Sequence, residues 1–201
     1  MDKKNFNLKE AKRLLAQKKK LYPMEWLGRS LAYNPYQPRP IKELLKKTPS
    51  FLPQNIYSIN PKENFLEDCI NLAEKASCFV LNDLENLTFI RRYIQNPLIY
   101  DFVIFDEYQL LESLVYGADA VLLYPKFLSQ KELKEMRDFT LKIGLEVIFV
   151  LENKSDLTKA IFAKADILNI NHHLELLALI PNSKIILSTQ EKKEIDCVIM
   201  Q

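Results

Sequence analysis

Apolar residues run along this chain in two rhythms, one helical and one of short β-branched bursts. Between residues 7 and 20, Leu8, Ala11, Leu14 and Leu15 recur at helical spacing with lysines opposite, which predicts an amphipathic helix. A second short helix is expected over 24–33. The segment NPYQPRP, 34–40, concentrates three prolines and cannot be helical, and a helical pattern resumes from Ile41 to Lys47.

From residue 51 onward, short apolar runs alternate with helical patterns, the signature of parallel βα units rather than hairpins. Eight strands are expected: Asn55–Ser58, Cys78–Asn82, Leu98–Phe102, Ala120–Leu123, Glu146–Leu151, Ile167–Asn171, Lys184–Ser188 and Asp196–Met200. Among the helices between them, 107–116 carries Leu110, Leu111, Leu114 and Val115 on one stripe and stops at Gly117, a natural left-handed cap. The next opens on a Ser129/Glu132 capping box, turns Leu133, Met136, Thr140 and Ile143 inward and stops at Gly144. Ser155 is expected to cap a third, with Leu157, Ala160 and Ile161 inward. Residues Thr189 to Ile195 are too few for a packed helix between the last two strands, since a parallel crossover takes about a dozen residues or more.

Composition narrows the chemistry. The chain has 201 residues, 48% hydrophobic and 27% charged, which suits a globular protein with a substantial core. Gly28, Gly117 and Gly144 are its only glycines, so neither GxxxxGK[ST] nor GxGxxG can be written and glycine-loop nucleotide binding is excluded. Residues 1–50 hold 13 Lys/Arg against 4 Asp/Glu, a local charge of +9 before a body of −7. That points either to a basic arm for an acidic partner or nucleic acid, or to a solvated helix face that docks on the acidic body. The helical pattern through the charges and the lack of interleaved aromatics favour the second, and nucleic acid is not expected as a partner. Cys69, Cys78 and Cys197 have no CxxC or metal-ligand spacing and read as small buried hydrophobes; no metal or cofactor is expected. The N-terminus lacks a signal-peptide core and no stretch reaches eighteen apolar residues, so a cytoplasmic protein without membrane attachment is expected.

Three separated blocks, GRSLAYNPYQPRPIKELLK (28–46), DEYQLLESLVYGADAVLL (106–123) and KSDLTKAIFAKADILNINH (154–172), resemble indole-3-glycerol-phosphate synthase, an enzyme of tryptophan biosynthesis. The resemblance implies an α/β fold of the (βα)8 TIM-barrel type, here shortened near the C-terminus and preceded by a helical extension. The expected division is an extension at 1–50 and a barrel at 51–201. It also implies a substrate, a carboxyphenylamino-deoxyribulose phosphate, and ring closure followed by loss of carbon dioxide and water. That chemistry needs a general acid on the ketone oxygen, carboxylates for the developing iminium and hydroxyl, and backbone N–H groups for the phosphate.

The motif residues depart from the family. The first-strand pattern EIKKASPSKG corresponds to FLPQNIYSI (51–59), which has no Glu and no Lys. The third-strand KDF corresponds to PLIYDFVIFD (97–106): counting back from Tyr108 and Gln109 puts Asp101 at the lysine, while matching DF to DF puts Tyr100 there. The fifth-strand VEVH becomes FVLE, with Val150 at the glutamate and Glu152 at the histidine. The NxR after the sixth strand keeps Asn171 and has His173 for the arginine, and the seventh-strand ESG becomes Ser188-Thr189-Gln190. One lost acid or base costs about 10²–10⁴ in rate, and at least two are missing.

The expectation is therefore a synthase-like protein without synthase catalysis, a binding or regulatory relative, with Asp101 and Asn171 as the surviving candidate site residues and Asn171 the candidate substrate contact. Two other readings stay open: an active synthase using substituted residues such as Asp101 and Asn171, and a binder of an acidic partner or nucleic acid through the basic N-terminal extension. Asp106 reads as a helix entry or a replacement acid. His172 and His173, adjacent on a strand, would face opposite ways and not share a metal. Lys18, Lys19 and Lys20 read as solvated. Trp26, Tyr33, Pro35 and Tyr36 either pack the extension on the barrel or form a contact surface. Missing outer helices are expected to leave one barrel side uncovered for a homodimer or protein partner.

Overall fold

The computed structural model describes residues 6–46, 53–59 and 64–200. Helices α1 (Leu8–Leu21), α2 (Met24–Ala32) and α3 (Lys42–Leu45) come first; Lys47 and the expected division at 50/51 lie outside the described residues. Then follow β1 (Gln54–Ser58), α4 (Phe65–Leu72), β2 (Cys78–Leu81), α5 (Leu84–Ile90), β3 (Leu98–Tyr100), α6 (Glu107–Val115), β4 (Ala120–Leu123), α7 (Gln130–Lys142), β5 (Glu146–Val150), α8 (Lys154–Phe162), β6 (Ile167–Asn169), β7 (Ile185–Ser188) and β8 (Cys197–Met200). A 3-10 turn at Pro125–Phe127 precedes α7, and another at Leu174–Leu179 stands between β6 and β7. All eight strands pair in parallel, in sequence order, and β8 closes onto β1 with Ile199 opposite Ile56. This is the (βα)8 barrel, with no helix in the described connection from β7 to β8.

The strands read as nearly continuous apolar runs because both faces are buried. One set of side chains, including Ile56, Cys78, Ile99, Ala120, Ile148, Ile167, Leu187 and Cys197, fills the barrel interior. The alternate set, including Phe79, Leu98, Val121, Phe149, Leu168, Ile186 and Val198, meets the helices. On the β7–β8 side the outward Ile186 and Val198 are buried, while Met200 is 41% exposed.

The strand ends away from the mouth are sealed by the proline segment and α3. Ile41 and Leu45 are fully buried against the interior cluster, and Cys197 Sγ donates to the Leu45 carbonyl at 3.0 Å. Asp119 anchors this end: it pairs with buried Arg91 and accepts from the backbone N–H of Arg39 (2.5 Å) and Leu98 (2.7 Å). Arg91 also donates to the Gln37 carbonyl at 2.7 Å and lies over the Tyr36 ring. Tyr36 thus packs the extension on the barrel, whereas Tyr33 and Trp26 are 89% and 54% exposed.

Several local expectations need correction. Asn153, not Ser155, caps α8, its side chain accepting from Asp156 N at 3.0 Å; an Asx residue one position before the first helical turn outcompetes a serine inside it. On α1 the half-buried stripe is Leu8, Ala11, Leu15 and Lys19, and Leu14 is 52% exposed. Lys18 and Lys19 are not merely solvated: they pair with Glu112 (2.5 Å) and Asp106 (2.6 Å) of the α6 region. α6, covered outside by the extension, consequently buries Tyr108, Gln109, Glu112 and Ser113 besides its leucine stripe. His172 and His173 lie in a turn rather than on β6, which ends at Asn169. Asn171 there is left-handed (φ 48°), and the imidazole centroids come within 4.2 Å instead of facing apart.

Candidate functional site

Strand alternation decides what faces the barrel mouth. Of the residues near each strand's C-terminal end, Ser58, Asp101, Val150, Glu152, Asn169, Asn171 and Thr189 line a cavity of about 210 Å³ together with Tyr124. Its floor is aliphatic: Ile56, Val80, Ile99, Leu122, Ile148, Leu187 and Ile199. This is the end of the barrel where such folds place active sites.

Asp101, just past β3, is turned into the cavity, and Tyr100 is turned outward, where its ring stacks on Phe102 with centroids 5.8 Å apart. Asp101, and not Tyr100, is therefore the residue that the end of β3 presents to the mouth. Tyr124, at the end of β4, donates its hydroxyl to Asp101 Oδ1 at 2.6 Å. Burial first, and the Asp101 carboxylate second, push the Tyr124 phenol far above its ordinary pKa, so it stays a neutral donor. Glu152 pairs with Lys126 of the 3-10 turn after β4 at 2.5 Å. Sequence reading missed both Tyr124 and Lys126; period-two alternation counted on from Leu122 finds the first, and only the fold brings the second to Glu152.

On the β6–β7 side the backbone N–H groups are already engaged. Asn171 N donates to Asn169 Oδ1 at 2.8 Å, Thr189 N to the Asn171 carbonyl at 3.0 Å, and Gln190 N to Ser188 Oγ at 3.1 Å. Fully buried Ser188 in turn donates to the Asn171 carbonyl at 2.5 Å. The left-handed Asn171 is thus the hub of a turn that consumes its own amides. Asp106, the other aspartate singled out from sequence, caps α6 by accepting from Tyr108 N at 2.9 Å; it serves helix entry. Among the described residues no cluster of His, Cys, Asp and Glu could hold a metal, and no helix is long and apolar enough to cross a membrane. The cysteines are free and buried, and burial pushes the Cys69 thiol up to about 12.

Comparison with known proteins gives one consistent result. The sequence model of the indole-3-glycerol phosphate synthase family matches residues 9–198. The chain is similar to the indole-3-glycerol phosphate synthase of Campylobacter concisus, with 37% identity over 90% of this chain and 81% of that protein. To the same enzyme of Campylobacter jejuni subsp. jejuni the identity is 40%, over 90% and 82%. Among solved structures, the YdjI aldolase from Escherichia coli K12 superposes with a TM-score of 0.60 at 10% identity, covering 81% of this chain and 80% of that one, a likeness of fold alone.

Proposed function

The chain belongs to the indole-3-glycerol phosphate synthase family, and from that premise we propose that it has lost synthase turnover and acts as a binding protein through the barrel mouth. The observation that carries this reading is the identity of the inward-facing residues at the strand ends. Where the family pattern calls for Glu and Lys on β1, the mouth presents Ile56 and Ser58; where it calls for the β3 lysine it presents Asp101; and where it calls for the β5 glutamate it presents Val150.

Each substitution removes a specific step. Protonating the ketone oxygen needs an acid with a proton to give, and Asp101, acceptor of the Tyr124 hydrogen bond, is the opposite group in that place. Stabilising the developing iminium needs a carboxylate at Val150, which an isopropyl group cannot replace. Holding the phosphate dianion needs unengaged N–H groups, and those of Thr189 and Gln190 are bonded within the turn. With about 10²–10⁴ in rate for each positioned acid or base, and such groups acting as a unit, turnover falls below detection. The absence of a membrane-spanning helix among the described residues and three free cysteines accord with a cytoplasmic setting.

One observation favours an alternative, an active synthase on substituted residues: Asp101 and Asn171 do share the mouth cavity. The decisive experiment is incubation of pure protein with the carboxyphenylamino-deoxyribulose phosphate while following indole fluorescence, alongside complementation of a bacterium lacking the synthase. No product and no growth without tryptophan are expected. Turnover at an ordinary enzymic rate, abolished by Asp101→Asn, would establish the alternative.

A further inference from the structure

Strand alternation turns Asp101 into the barrel mouth and Tyr100 out of it, and on the outer side Tyr100 meets a second cavity. This cavity, of about 450 Å³, lies between α1 and the β3–α6 flank and shares no lining residue with the mouth. Ala11, Leu14 and Leu15 of α1 form one wall, and Leu84, Tyr100, Phe102 and Phe105 form the other. The extension crosses it tied at both ends. Phe6 sets its ring edge-on to Phe127 with centroids 5.2 Å apart, and Lys18 pairs with Glu112 at 2.5 Å. Between those ties, over about 16 Å of helix, no residue of α1 is buried, and Leu14 is 52% exposed.

The walls define what fits. The Tyr100 and Phe102 rings lie within 5° of parallel, and such π surfaces take a further ring by offset stacking or edge contact. Charge is already settled, because Glu112 is held by Lys18 and Glu10 by Arg13 at 2.6 Å. Gln109 is engaged as well, its Oε1 accepting from Phe105 N at 2.9 Å and its amide donating to the Val103 carbonyl at 3.2 Å. Tyr100 is the exception. It is only 6% exposed, and its hydroxyl, reachable from the cavity it lines, bonds to no described residue. Burial first, and the Glu112 charge next, raise its pKa, so the phenol stays a neutral donor. A lone donor on an otherwise apolar cavity sets one polar point for an occupant.

We infer that this side cavity binds a small neutral aromatic molecule with one hydrogen-bond acceptor, its ring between the α1 leucines and the Tyr100–Phe102 stack and its acceptor on the Tyr100 hydroxyl. The volume falls in the range of small-molecule sites, roughly 300–1,000 Å³. A helix or strand of another chain does not suit a gap that Phe6 closes at one end and the Lys18–Glu112 pair at the other. An ion does not suit it either, since it would give up water without gaining a counter-charge that is not already paired. The inference goes beyond the functional reading of the mouth and holds whether or not the mouth turns over a substrate, because the two cavities have separate linings. It makes α1 the cover of a binding site.

The test titrates the full chain with three probes of one shape and follows methyl chemical shifts: acetophenone, which has a ring and a carbonyl acceptor; ethylbenzene, which lacks the acceptor; and benzoate, which is an anion. Acetophenone is expected to saturate in the millimolar range or below, moving the methyl signals of Leu14 and Leu15 rather than those of Val150 and Leu187, and benzoate is expected not to saturate. Tyr100→Phe keeps the ring and removes the donor; it should weaken acetophenone about three- to tenfold and leave ethylbenzene unchanged. Ala11→Phe fills the cavity from the α1 side and should abolish saturation by both. The inference is overturned by no saturation with acetophenone, by equal or tighter binding of benzoate, by shifts confined to Val150 and Leu187, or by a Tyr100→Phe chain that binds acetophenone as wild type does. A dimer in sedimentation that Ala11→Phe dissociates would put a second copy in the cavity and overturn it as well. Failure of the functional reading shows separately, as indole formed from the ribulose phosphate.

Discussion

The two ends of this barrel handle charge in contrasting ways. At the sealed end, Asp119 and Arg91 are both buried and nearly every polar atom of the pair is spoken for, by Arg39 N, Leu98 N and the Gln37 carbonyl. At the mouth, the charged side chains sit on a cavity, and their identities depart from those the family pattern implies. The sealed end reports on what holds the scaffold and the mouth on what it does. A scaffold anchored at one end leaves the side chains at the other free to vary, so one barrel shape can host different chemistry.

The largest effect is expected at the sealed end. Asp119→Ala strips the partner from a buried guanidinium and the acceptor from two backbone N–H groups, and should cost about 3–5 kcal/mol in urea unfolding. A loss below about 1 kcal/mol would mean that Arg91 finds water on relaxation and that the two ends do not differ as described. A smaller contrast is available from two glycines with the same backbone conformation. Gly117 and Gly144 have φ of 89° and 88°, but a Cβ on Gly117 meets Arg91 Cγ and Tyr36 Cδ2 at 3.3 Å, while on Gly144 the nearest atom is Pro38 Cγ at 3.8 Å. Gly144→Ala should cost about 1 kcal/mol from the left-handed backbone alone. Gly117→Ala should cost about 2 kcal/mol or more, because it also pushes on the Arg91–Tyr36 stack.

Sequence made the scaffold legible and the mouth only half so. Eight strand positions follow from β-branched runs, and the starts and stops of α6 and α7 from Asp106, Gly117, Ser129 and Gly144, because those signals are local. Which of Tyr100 and Asp101 faces inward is not local: it depends on where pleating begins in a three-residue strand. The histidine turn was misread because the left-handed Asn171 interrupts what looks like strand continuation. The meeting of Lys18 and Lys19 with α6 joins residues more than eighty positions apart, and charge balance between segments predicts docking without predicting partners.

That docking offers a third, weaker probe of the contrast. The Lys18–Glu112 and Lys19–Asp106 pairs are partly exposed, with lysine side chains 45% and 37% accessible, so each is worth about 1 kcal/mol or less and is screened by salt. Lys18→Gln/Lys19→Gln should lower the unfolding midpoint slightly at low ionic strength and by nothing measurable at about 1 M salt. Asp119→Ala should lose nearly as much at either salt concentration. Equal salt dependence of the two variants would erase the distinction between a buried anchor and a surface strap.

The finest probe lies within the sealed end itself, where two neighbouring carboxyls shift in opposite directions. Burial raises the Glu146 pKa, only partly offset by N–H groups of Lys42 and Ile41 and by the Lys42 charge, and its Oε2 has no hydrogen-bond partner. Burial also acts on Asp166, but there the Lys42 hydrogen bond, at 2.7 Å, and the charges of Lys42 and Lys184 prevail and lower the pKa. A raised folded-state value means that ionised Glu146 weakens the fold, a penalty absent below the unfolded pKa and complete above the folded one. A lowered value means that ionised Asp166 strengthens the fold, a contribution present above the unfolded pKa and lost as pH falls through the folded one. Glu146→Gln should therefore gain on wild type as pH rises from about 4 to 7, whereas Asp166→Asn should show its full deficit already above about pH 5 and recover it as pH falls below about 4, each by under about 1 kcal/mol because both sites are partly solvated. Parallel slopes in the two variants would show that Lys42 serves both carboxyls equally, and that α3 seals the barrel by packing rather than by choosing between them.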